Sequence, residues 1–337
     1  MTTTLEAAER RAGQERYRVT VEQYRTIHAK GYLVVPGLVG ADDVWELVTH
    51  TDDILAGRIP PPGMKQKISG WTMEEIERLF NRTFMPHLDV AIHERFLLHP
   101  RILDVLEALI GPDVMAMQTM LFLKPPGSAG QGYHQDAYYI PTKPDTLCGA
   151  WLALDRADEE NGCLWMTGGT QHEPIYPDVE KIGQNHAPDA LAGLTPIDNA
   201  SHVDENINGL TAIARKYTGQ EVPVIVDPGD VVFFQGHILH RSHANRSRNR
   251  FRRSFVGHYA NARSYTAWYG GNGAQILARG DTHLPFAVPR FGTPCAATLS
   301  AEERARQYGQ RTLLAQGELM GIEEVDPARN DPTAHDH

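Results

Sequence analysis

Two histidines and an aspartate in separate parts of the chain have the residue types of a metal site. His134 and Asp136 lie in the segment YHQDAYYI, and His240 lies in DVVFFQGHILHRS. In an extended strand, residues i and i+2 face the same side. His134 and Asp136 are therefore predicted to project together from one strand while Gln135 points away, and a distant segment must supply the third ligand.

Two neutral imidazoles and one carboxylate on one face form the ligand set of non-haem Fe(II) oxygenases, which leaves three coordination positions open. A 2-oxo acid can occupy two of them and O2 the third, whereas a structural zinc site would need four protein ligands. An H-x-D motif alone is common by chance, and a solvated strand in which the two side chains bond each other also explains it. His237 and His243 lie at odd offsets from His240, so we expect both to be non-ligands.

The positions of these residues require a β framework. From Val114 onward, short runs rich in β-branched and aromatic residues are separated by Gly, Pro, Asp or Asn, which is typical of antiparallel strands. They are MAMQTMLFLKPP, YHQDAYYI, LCGAWLALD, GCLWMTGG, VPVIVD, DVVFFQGHILHRS and RRSFVGHYA. The pattern predicts a sandwich or small barrel with helices packed outside it.

The first hundred or so residues read as helices that support this framework. Thr20 and Gln23 form a capping-box pattern before VEQYRTIHAK, and Gly31 supplies a stop. The segment ADDVWELVTHTDDILAG has apolar residues at helical spacing. We predict a single domain over residues 1–337, with helical support over about 15–112, a barrel core over 113–262, a lid over 172–220 and a C-terminal extension over 263–337.

Composition and charge restrict the class of protein. The 337 residues are 41% hydrophobic and 22% charged, as in globular proteins, and the net charge is −10. This acidity disfavours binding to nucleic acid or anionic lipid through charge. Three scattered cysteines give no disulfide framework, the first residues lack a secretory signal, and no apolar run is long enough to span a membrane. We expect a cytoplasmic protein, with an oligomeric state that the sequence does not indicate.

From about Gly31 to His258 the chain resembles the phytanoyl-CoA dioxygenase family of Fe(II)- and 2-oxoglutarate-dependent oxygenases. The segments that carry the resemblance are KGYLVVPGLV, VMAMQTMLFLKPPG, YHQDAYYI, CGAWLALDRADEENGCLWMTGGTQH, GDVVFFQGHILHRSHANRS and FRRSFVGHY. Members of this family fold as a double-stranded β-helix, a jelly-roll barrel that holds iron at one mouth. The resemblance therefore implies a mainly β, cupin-like fold with flanking helices, which agrees with the strand pattern.

The resemblance also assigns site residues. It makes His134, Asp136 and His240 the iron ligands, and Arg252 the partner of the distal carboxylate of 2-oxoglutarate, which an arginine can hold with two charge-assisted hydrogen bonds. Ser242, on the same strand face as His240, would donate a further bond. Three other residues match positions beside the cosubstrate in the family: Gln135, Trp151 and Met120. A core role explains Trp151 equally well.

Departures from the family pattern leave the arginine open. The family usually has His-Gly-Ser where this chain has HRS, and its spacing to the arginine is about one residue shorter. Arg250, Arg252 and Arg253 therefore compete for the cosubstrate, and the alignment of FRRSFVGHY favours Arg252. A lysine that some members place ahead of the barrel has no clear match near Phe84 or Met85.

The implied reaction is the oxidative decarboxylation of 2-oxoglutarate by O2 to succinate and CO2, coupled to oxidation of a small-molecule C–H bond. Halogenating relatives replace the carboxylate ligand with Gly or Ala, so Asp136 favours hydroxylation over halogenation. Desaturation, epoxidation and ring closure stay open as alternative outcomes. Tyr138, Tyr139 and Trp165, together with the lid, are the expected substrate-facing elements. Lys124 is more simply a solvated strand end. The basic run RSRNRFRR lacks the interleaved aromatic residues of a nucleic-acid site.

Three functional hypotheses remain open from the sequence. The first is a hydroxylase acting on a natural-product or acyl-type metabolite, although the acidic chain gives no support to a CoA thioester. The second is a cupin-like hydrolase or isomerase that uses the same ligands with another metal and no 2-oxo acid. The third is a jelly-roll binding module without catalysis. An arginine and a serine directed across the metal favour the first, because a hydrolase does not need them.

Overall fold

We describe the protein from a computed structural model. It describes residues 16–62, 64, 70, 72, 75, 85–179, 194, 196–200, 208–266 and 274–291. The predicted lid and C-terminal extension are thus described only in part. Residues 180–193, 195, 201–207, 267–273 and 292–337 lie outside the described residues, and the domain boundaries and the lid role stay predictions.

Helix α1 (Val21–Lys30) begins and ends where the sequence predicts. Thr20 accepts a hydrogen bond from the Gln23 backbone, and the Gln23 side chain accepts one from the Thr20 backbone, which completes the capping box. Gly31 ends the helix with φ of 81°, a left-handed conformation that glycine adopts at little cost. The chain then turns directly into the first strand.

Three further helices and a 3-10 turn complete the helical region that precedes the barrel. They are α2 (Ala41–Leu55), the 3-10 turn Pro86–Leu88, α3 (Ala91–Leu97) and α4 (Pro100–Ile110). Their apolar faces bury Leu47, Phe96 and Leu103 against the larger sheet. Burial of such side chains stabilises the fold by about 1.5–3 kcal/mol each.

The larger sheet has six antiparallel strands in the order β1-β7-β4-β9-β2-β10. In chain order they are β1 (Tyr32–Val35), β2 (Val114–Lys124), β4 (Cys148–Ala153), β7 (Val231–Gln235), β9 (Arg252–Asn261) and β10 (Ile276–Arg279). The long pair β2 and β9 runs in register from Gln118 opposite His258 to Lys124 opposite Arg252. This is the longest strand pairing of the larger sheet.

The smaller sheet has four antiparallel strands in the order β3-β8-β5-β6. They are β3 (Gln131–His134), β5 (Leu164–Thr167), β6 (Glu221–Val224) and β8 (His240–Ser242). Short helical turns α5 (Asp136–Tyr139) and α6 (Thr211–Ala214) flank it. Two antiparallel sheets with helices outside form the predicted jelly-roll fold, which is confirmed.

Alternation along the strands separates two cores. On β4, Ala150 and Leu152 pack under the helices, whereas Trp151 and Ala153 face the space between the two sheets. On β9, Phe255 packs under the helices, and its neighbours at even offsets from Arg252 face the barrel interior. The inner face of β9 therefore presents Arg252, Ser254, Val256 and His258 in one row.

Three details of the strand prediction are corrected. The first hundred residues are not all helical, because β1 pairs with β7 at the edge of the larger sheet. The run DVVFFQGHILHRS contains two strands that belong to different sheets, β7 and β8, joined through a turn at Gly236. Strand β10 lies within the predicted C-terminal extension.

In the part of the chain that the structure describes, no helix has the length and hydropathy needed to cross a membrane.

Candidate active site

The two histidines of the predicted metal site face each other across neighbouring strands. His134 ends β3 and His240 begins β8, and the two are direct cross-strand partners. Their ring centroids lie 4.0 Å apart. Antiparallel pairing thus closes the sequence gap between the two segments, because opposed residues on one face are neighbours.

Asp136 reaches the same place by a different local structure from the one predicted. The strand ends at His134, and Asp136 opens the helical turn α5. The turn is fastened to the β7–β8 connection by a hydrogen bond of 2.9 Å from the Ala137 backbone to the Gly236 carbonyl. A side chain at Gly236 would clash, since a Cβ there would lie 2.9 Å from Leu147 and 3.1 Å from Ala137. The extended-strand argument is therefore wrong for Asp136, although its conclusion that the two ligands converge holds.

One donor atom each from His134, Asp136 and His240 lies within 4.8 Å of the others. Asp136 Oδ1 is 3.7 Å from Nε2 of each histidine. Each Nδ1 lies near a backbone carbonyl two residues earlier, at 3.0 Å for Gly132 and 3.1 Å for Ile238. Because Nδ1 donates to these carbonyls, the Nε2 lone pairs of both rings face Asp136.

The electrostatics of the three groups suit a cation. Burial, and then the nearby His240, lowers the pKa of His134 to about 4, which keeps the ring neutral. Burial alone would raise the pKa of Asp136, but His240 and His258 outweigh it and hold that pKa below its usual value. A carboxylate and two imidazoles with their Nε2 atoms directed at it fit a divalent transition metal.

His258 on β9 supports this arrangement from behind. Its Nε2 lies 2.9 Å from Asp136 Oδ2, so the ring holds the carboxylate oxygen that faces away from the histidine pair. His258 was not predicted as a site residue. The signal was present, because His258 lies at an even offset from Arg252 on the same strand and must share its face.

Arg252 lies at the opposite end of the inner face of β9. Its guanidinium is buried, donates a bond of 3.0 Å to Ser254 Oγ and lies 5.5 Å from the centroid of the Trp151 ring. Its Nε has no hydrogen-bond partner, and among the described residues no carboxylate lies within 4.0 Å of it. Burial lowers the pKa of Arg252 to about 10, so it is still a cation at neutral pH.

The two competing arginines are committed elsewhere. Arg253 points to the opposite face of β9 and is paired with Asp155 and Asp52. Arg250 precedes the strand and is paired with Asp158 and Glu160 at the surface. Of the three, Arg252 has a buried N–H group left for an anion.

Comparison with known proteins agrees with this geometry. The sequence profile of the family described as phytanoyl-CoA dioxygenase (PhyH) matches residues 27–254. The chain belongs to this family. It is thus a member of a family of non-haem Fe(II)/2-oxoglutarate oxygenases, as the sequence resemblance predicts. The peroxisomal phytanoyl-CoA dioxygenase of Rattus norvegicus is 27% identical over 283 residues, which cover 81% of this chain and 77% of the relative.

Solved structures with the same fold are more distant in sequence. A non-haem monooxygenase, ThoJ, is 21% identical with a TM-score of 0.54, and the match covers 80% of this chain and 87% of ThoJ. The non-haem alpha-ketoglutarate-dependent carbocyclase SnoK from nogalamycin biosynthesis is 17% identical with a TM-score of 0.54, covering 75% of this chain and 90% of SnoK. These two likenesses support the PhyH jelly roll.

The other residues assigned from the PhyH resemblance fall into two groups. Ser242, Met120 and Trp151 lie in or beside the barrel interior, where Trp151 and Met120 pack in the inner core. Gln135 instead uses its amide to donate to the Pro174 and His237 carbonyls and to accept from the Tyr176 backbone. It fastens the segment after the second 3-10 turn (Thr170–His172) beside the candidate metal ligands.

Two expectations about neighbouring residues are wrong. Lys124 is not a solvated strand end: it is 6% exposed, and its ammonium donates to Ser242 Oγ and the His243 carbonyl. Trp165 does not face the site, because its cross-strand partner is Arg241, whereas the adjacent Met166 pairs with His240. Sequence alternation alone does not say which of two faces is the inner one.

Further predicted neighbours keep their expected places. His243 packs edge-on against Trp165 at 5.4 Å on the outer face of the smaller sheet, and His237 bonds the Glu173 carbonyl and Asp145, so neither is a metal ligand. Tyr138 and Tyr139 follow Asp136 in α5, and their rings meet edge to face at 5.0 Å. Tyr138 is buried and Tyr139 is partly buried. Their substrate role stays a prediction.

Proposed function

We propose that this chain is an Fe(II)- and 2-oxoglutarate-dependent dioxygenase that hydroxylates an unactivated C–H bond of a small-molecule metabolite. The substrate class is a natural-product or acyl-type compound. Oxygen and 2-oxoglutarate would be consumed, and succinate, CO2 and the hydroxylated product released. One observation carries the proposal. The convergent His134–Asp136–His240 set contacts His258 at one end of the inner face of β9, and Arg252, at the other end of that face, is buried with no carboxylate partner among the described residues.

Each residue has a distinct task in this proposal. His134, Asp136 and His240 would hold Fe(II), and His258 would keep Asp136 oriented. Arg252 and Ser242 would bind the distal carboxylate of 2-oxoglutarate, while Trp151 and Met120 form the adjacent apolar wall. Iron with 2-oxoglutarate and O2 supplies the oxidative decarboxylation that drives substrate oxidation. The protein side chains would position the metal and the 2-oxoglutarate and keep bulk water away from the metal.

The arginine favours an oxygenase over the second candidate function. A metal hydrolase or isomerase would use the three ligands but has no use for a buried cation that lacks a carboxylate partner. A binding module would not need two imidazoles whose Nε2 atoms are both directed at one carboxylate. The Asp136 carboxylate likewise favours hydroxylation over halogenation.

The direct test is anaerobic addition of Fe(II) and 2-oxoglutarate to the purified protein. We expect a weak visible charge-transfer band that requires both components and that is absent with glutarate, which has no keto oxygen. His134→Ala and Asp136→Ala should abolish the band. His243→Ala is the matched control, because it removes an imidazole three residues from His240 on the outer face and should leave the band intact.

In air, the wild-type protein should then release succinate with suitable small-molecule substrates, and a screen read out by succinate would identify the substrate. Tight uptake of zinc without a band or succinate release would overturn the oxygenase proposal. Loss of the band in His243→Ala but not in His134→Ala would place the metal elsewhere.

A further inference from the structure

We propose that Lys124 is a positioning residue of the cosubstrate site, whose ammonium group orients the Ser242 hydroxyl to donate to the distal carboxylate of 2-oxoglutarate. This inference rests on the proposed function. It concerns a residue that the sequence predicts as solvated, and that the structure buries beside both Ser242 and Arg252.

The strand register places Lys124 next to the arginine. Lys124 on β2 is the direct cross-strand partner of Arg252 on β9, so both side chains leave the larger sheet toward the barrel interior. Both residues are almost fully buried, at 6% and 5% exposure. Two cations on one buried face repel each other, and a carboxylate bound between their donors relieves that repulsion.

The hydrogen bond to Ser242 sets the direction of its proton. Lys124 Nζ lies 3.2 Å from Ser242 Oγ, and an ammonium group has donors but no acceptor. The Ser242 oxygen must therefore accept, and its own O–H must point away from Lys124. Among the described residues Ser242 Oγ makes no other hydrogen bond. The hydroxyl is left as a buried donor beside the Lys124 ammonium, whose cross-strand partner is Arg252, and this arrangement is suited to an anion.

The surroundings hold the ammonium in this place. Lys124 Nζ also donates to the His243 carbonyl, which links the end of β2 to the end of β8. The turn at Gly162 closes over it: a Cβ there would lie 2.5 Å from the His243 oxygen and 3.0 Å from Lys124 Nζ, and φ is +81°. The Asn245 amide donates to the Lys124 carbonyl at 2.9 Å. The long side chain is therefore fixed rather than free to sample other partners.

The test is calorimetric titration of the Mn(II)-loaded protein without oxygen, using 2-oxoglutarate and, separately, 2-oxobutyrate, which lacks the distal carboxylate. Lys124→Met should weaken 2-oxoglutarate binding about tenfold, because the Ser242 hydroxyl would no longer be held with its proton directed at the carboxylate. Its affinity for 2-oxobutyrate should not change. Lys30→Met, at an exposed lysine, is the control and should alter neither affinity.

A double-mutant cycle separates positioning from general damage. If Lys124 acts through Ser242, then Ser242→Ala combined with Lys124→Met should weaken 2-oxoglutarate binding about as much as one of the substitutions alone. Additive losses would overturn the inference, as would an equal loss of affinity for both acids. If Lys124→Met does not fold, Lys124→Gln should show a smaller loss confined to 2-oxoglutarate, and unchanged affinity in Lys124→Gln would overturn the inference.

Failure of the wider proposal has a different signature. Wild-type protein that binds 2-oxoglutarate no better than 2-oxobutyrate would contradict the oxygenase assignment itself. Wild-type protein that discriminates between the two acids, with Lys124→Met discriminating equally, would contradict the role of Lys124 alone. In turnover, Lys124→Met should raise KM for 2-oxoglutarate and leave kcat at saturating cosubstrate near the wild-type value.

Discussion

The two ends of the inner face of β9 serve the site in opposite ways. At the His258 end, the His134 and His240 imidazoles bond backbone carbonyls near them and Asp136 bonds His258, so the candidate metal ligands are held by contacts within the protein. At the Arg252 end, the guanidinium is buried with an Nε that has no partner. One end is organised within the protein, whereas we propose that an anion completes the other.

The difference follows from the side chains involved. The imidazoles of two paired strands and the short carboxylate of the following turn α5 reach a common point through few side-chain torsions, so the backbone largely positions them. Long cationic side chains such as Arg252 need contacts along their length. Arg252 donates a hydrogen bond to Ser254 Oγ and makes a cation–π contact with the Trp151 ring. Substitutions at the two ends should therefore separate metal affinity from cosubstrate affinity.

The largest effect is expected at the metal end. Asp136→Ala removes the carboxylate ligand and leaves His258 without its partner. We therefore expect calorimetry to detect no binding of Mn(II) or Fe(II). Loss of metal binding in a variant that still folds, as judged by circular dichroism, would support the difference between the two ends of β9. A metal affinity within a factor of two of the wild type would contradict it.

At the other end, Arg252→Met should weaken 2-oxoglutarate binding about a hundredfold, because a charge-assisted bidentate contact contributes a few kcal/mol. Metal affinity measured without 2-oxoglutarate should be unchanged. A fall in metal affinity of the same size would show that the two ends are not independent.

A smaller effect is expected for His258→Phe, which keeps ring bulk but leaves Asp136 Oδ2 without its donor. Loss of such an outer contact typically lowers metal affinity by about 10–100-fold, and we expect the lower part of that range. His93→Phe is the matched control, since His93 is equally buried but packs against Phe255 on the helical side of the sheet. Equal metal affinities in the two variants would remove His258 from the site.

The smallest effect belongs to the surface arginine. Arg250→Met breaks pairs with Asp158 and Glu160 at a partly exposed position, where such pairs contribute at most about 1 kcal/mol to the free energy of unfolding. The 2-oxoglutarate affinity should equal that of the wild type. A cosubstrate requirement raised as much as in Arg252→Met would move the carboxylate contact to Arg250.

Sequence patterns determined much of the framework because they act over short distances. The capping box at Thr20, the stop at Gly31 and the alternation along β2, β4 and β9 are local, and each is present in the structure. The residue types at His134, Asp136 and His240 likewise predict a metal site without any coordinates. The family resemblance supplied the link between the distant segments.

Only the tertiary structure decided which face of each strand is the inner one and where each strand ends. Strand β3 stops at His134 because Asp136 begins a turn bonded to Gly236, and this bond joins residues about a hundred positions apart. Alternation predicts that Trp165 and Met166 face opposite sides, but pairing with β8 decides that Met166 lies opposite His240. The inner side of a strand is thus a property of its neighbours.

The same reason explains Lys124. A lysine before two prolines at the end of a strand is ordinarily solvated, since burial of a charge is costly without partners. Here β8 and the turn at Gly162 come from other parts of the chain and provide both cover and hydrogen-bond acceptors. Residue types and local periods are written in the sequence, whereas burial and register depend on which distant segments meet.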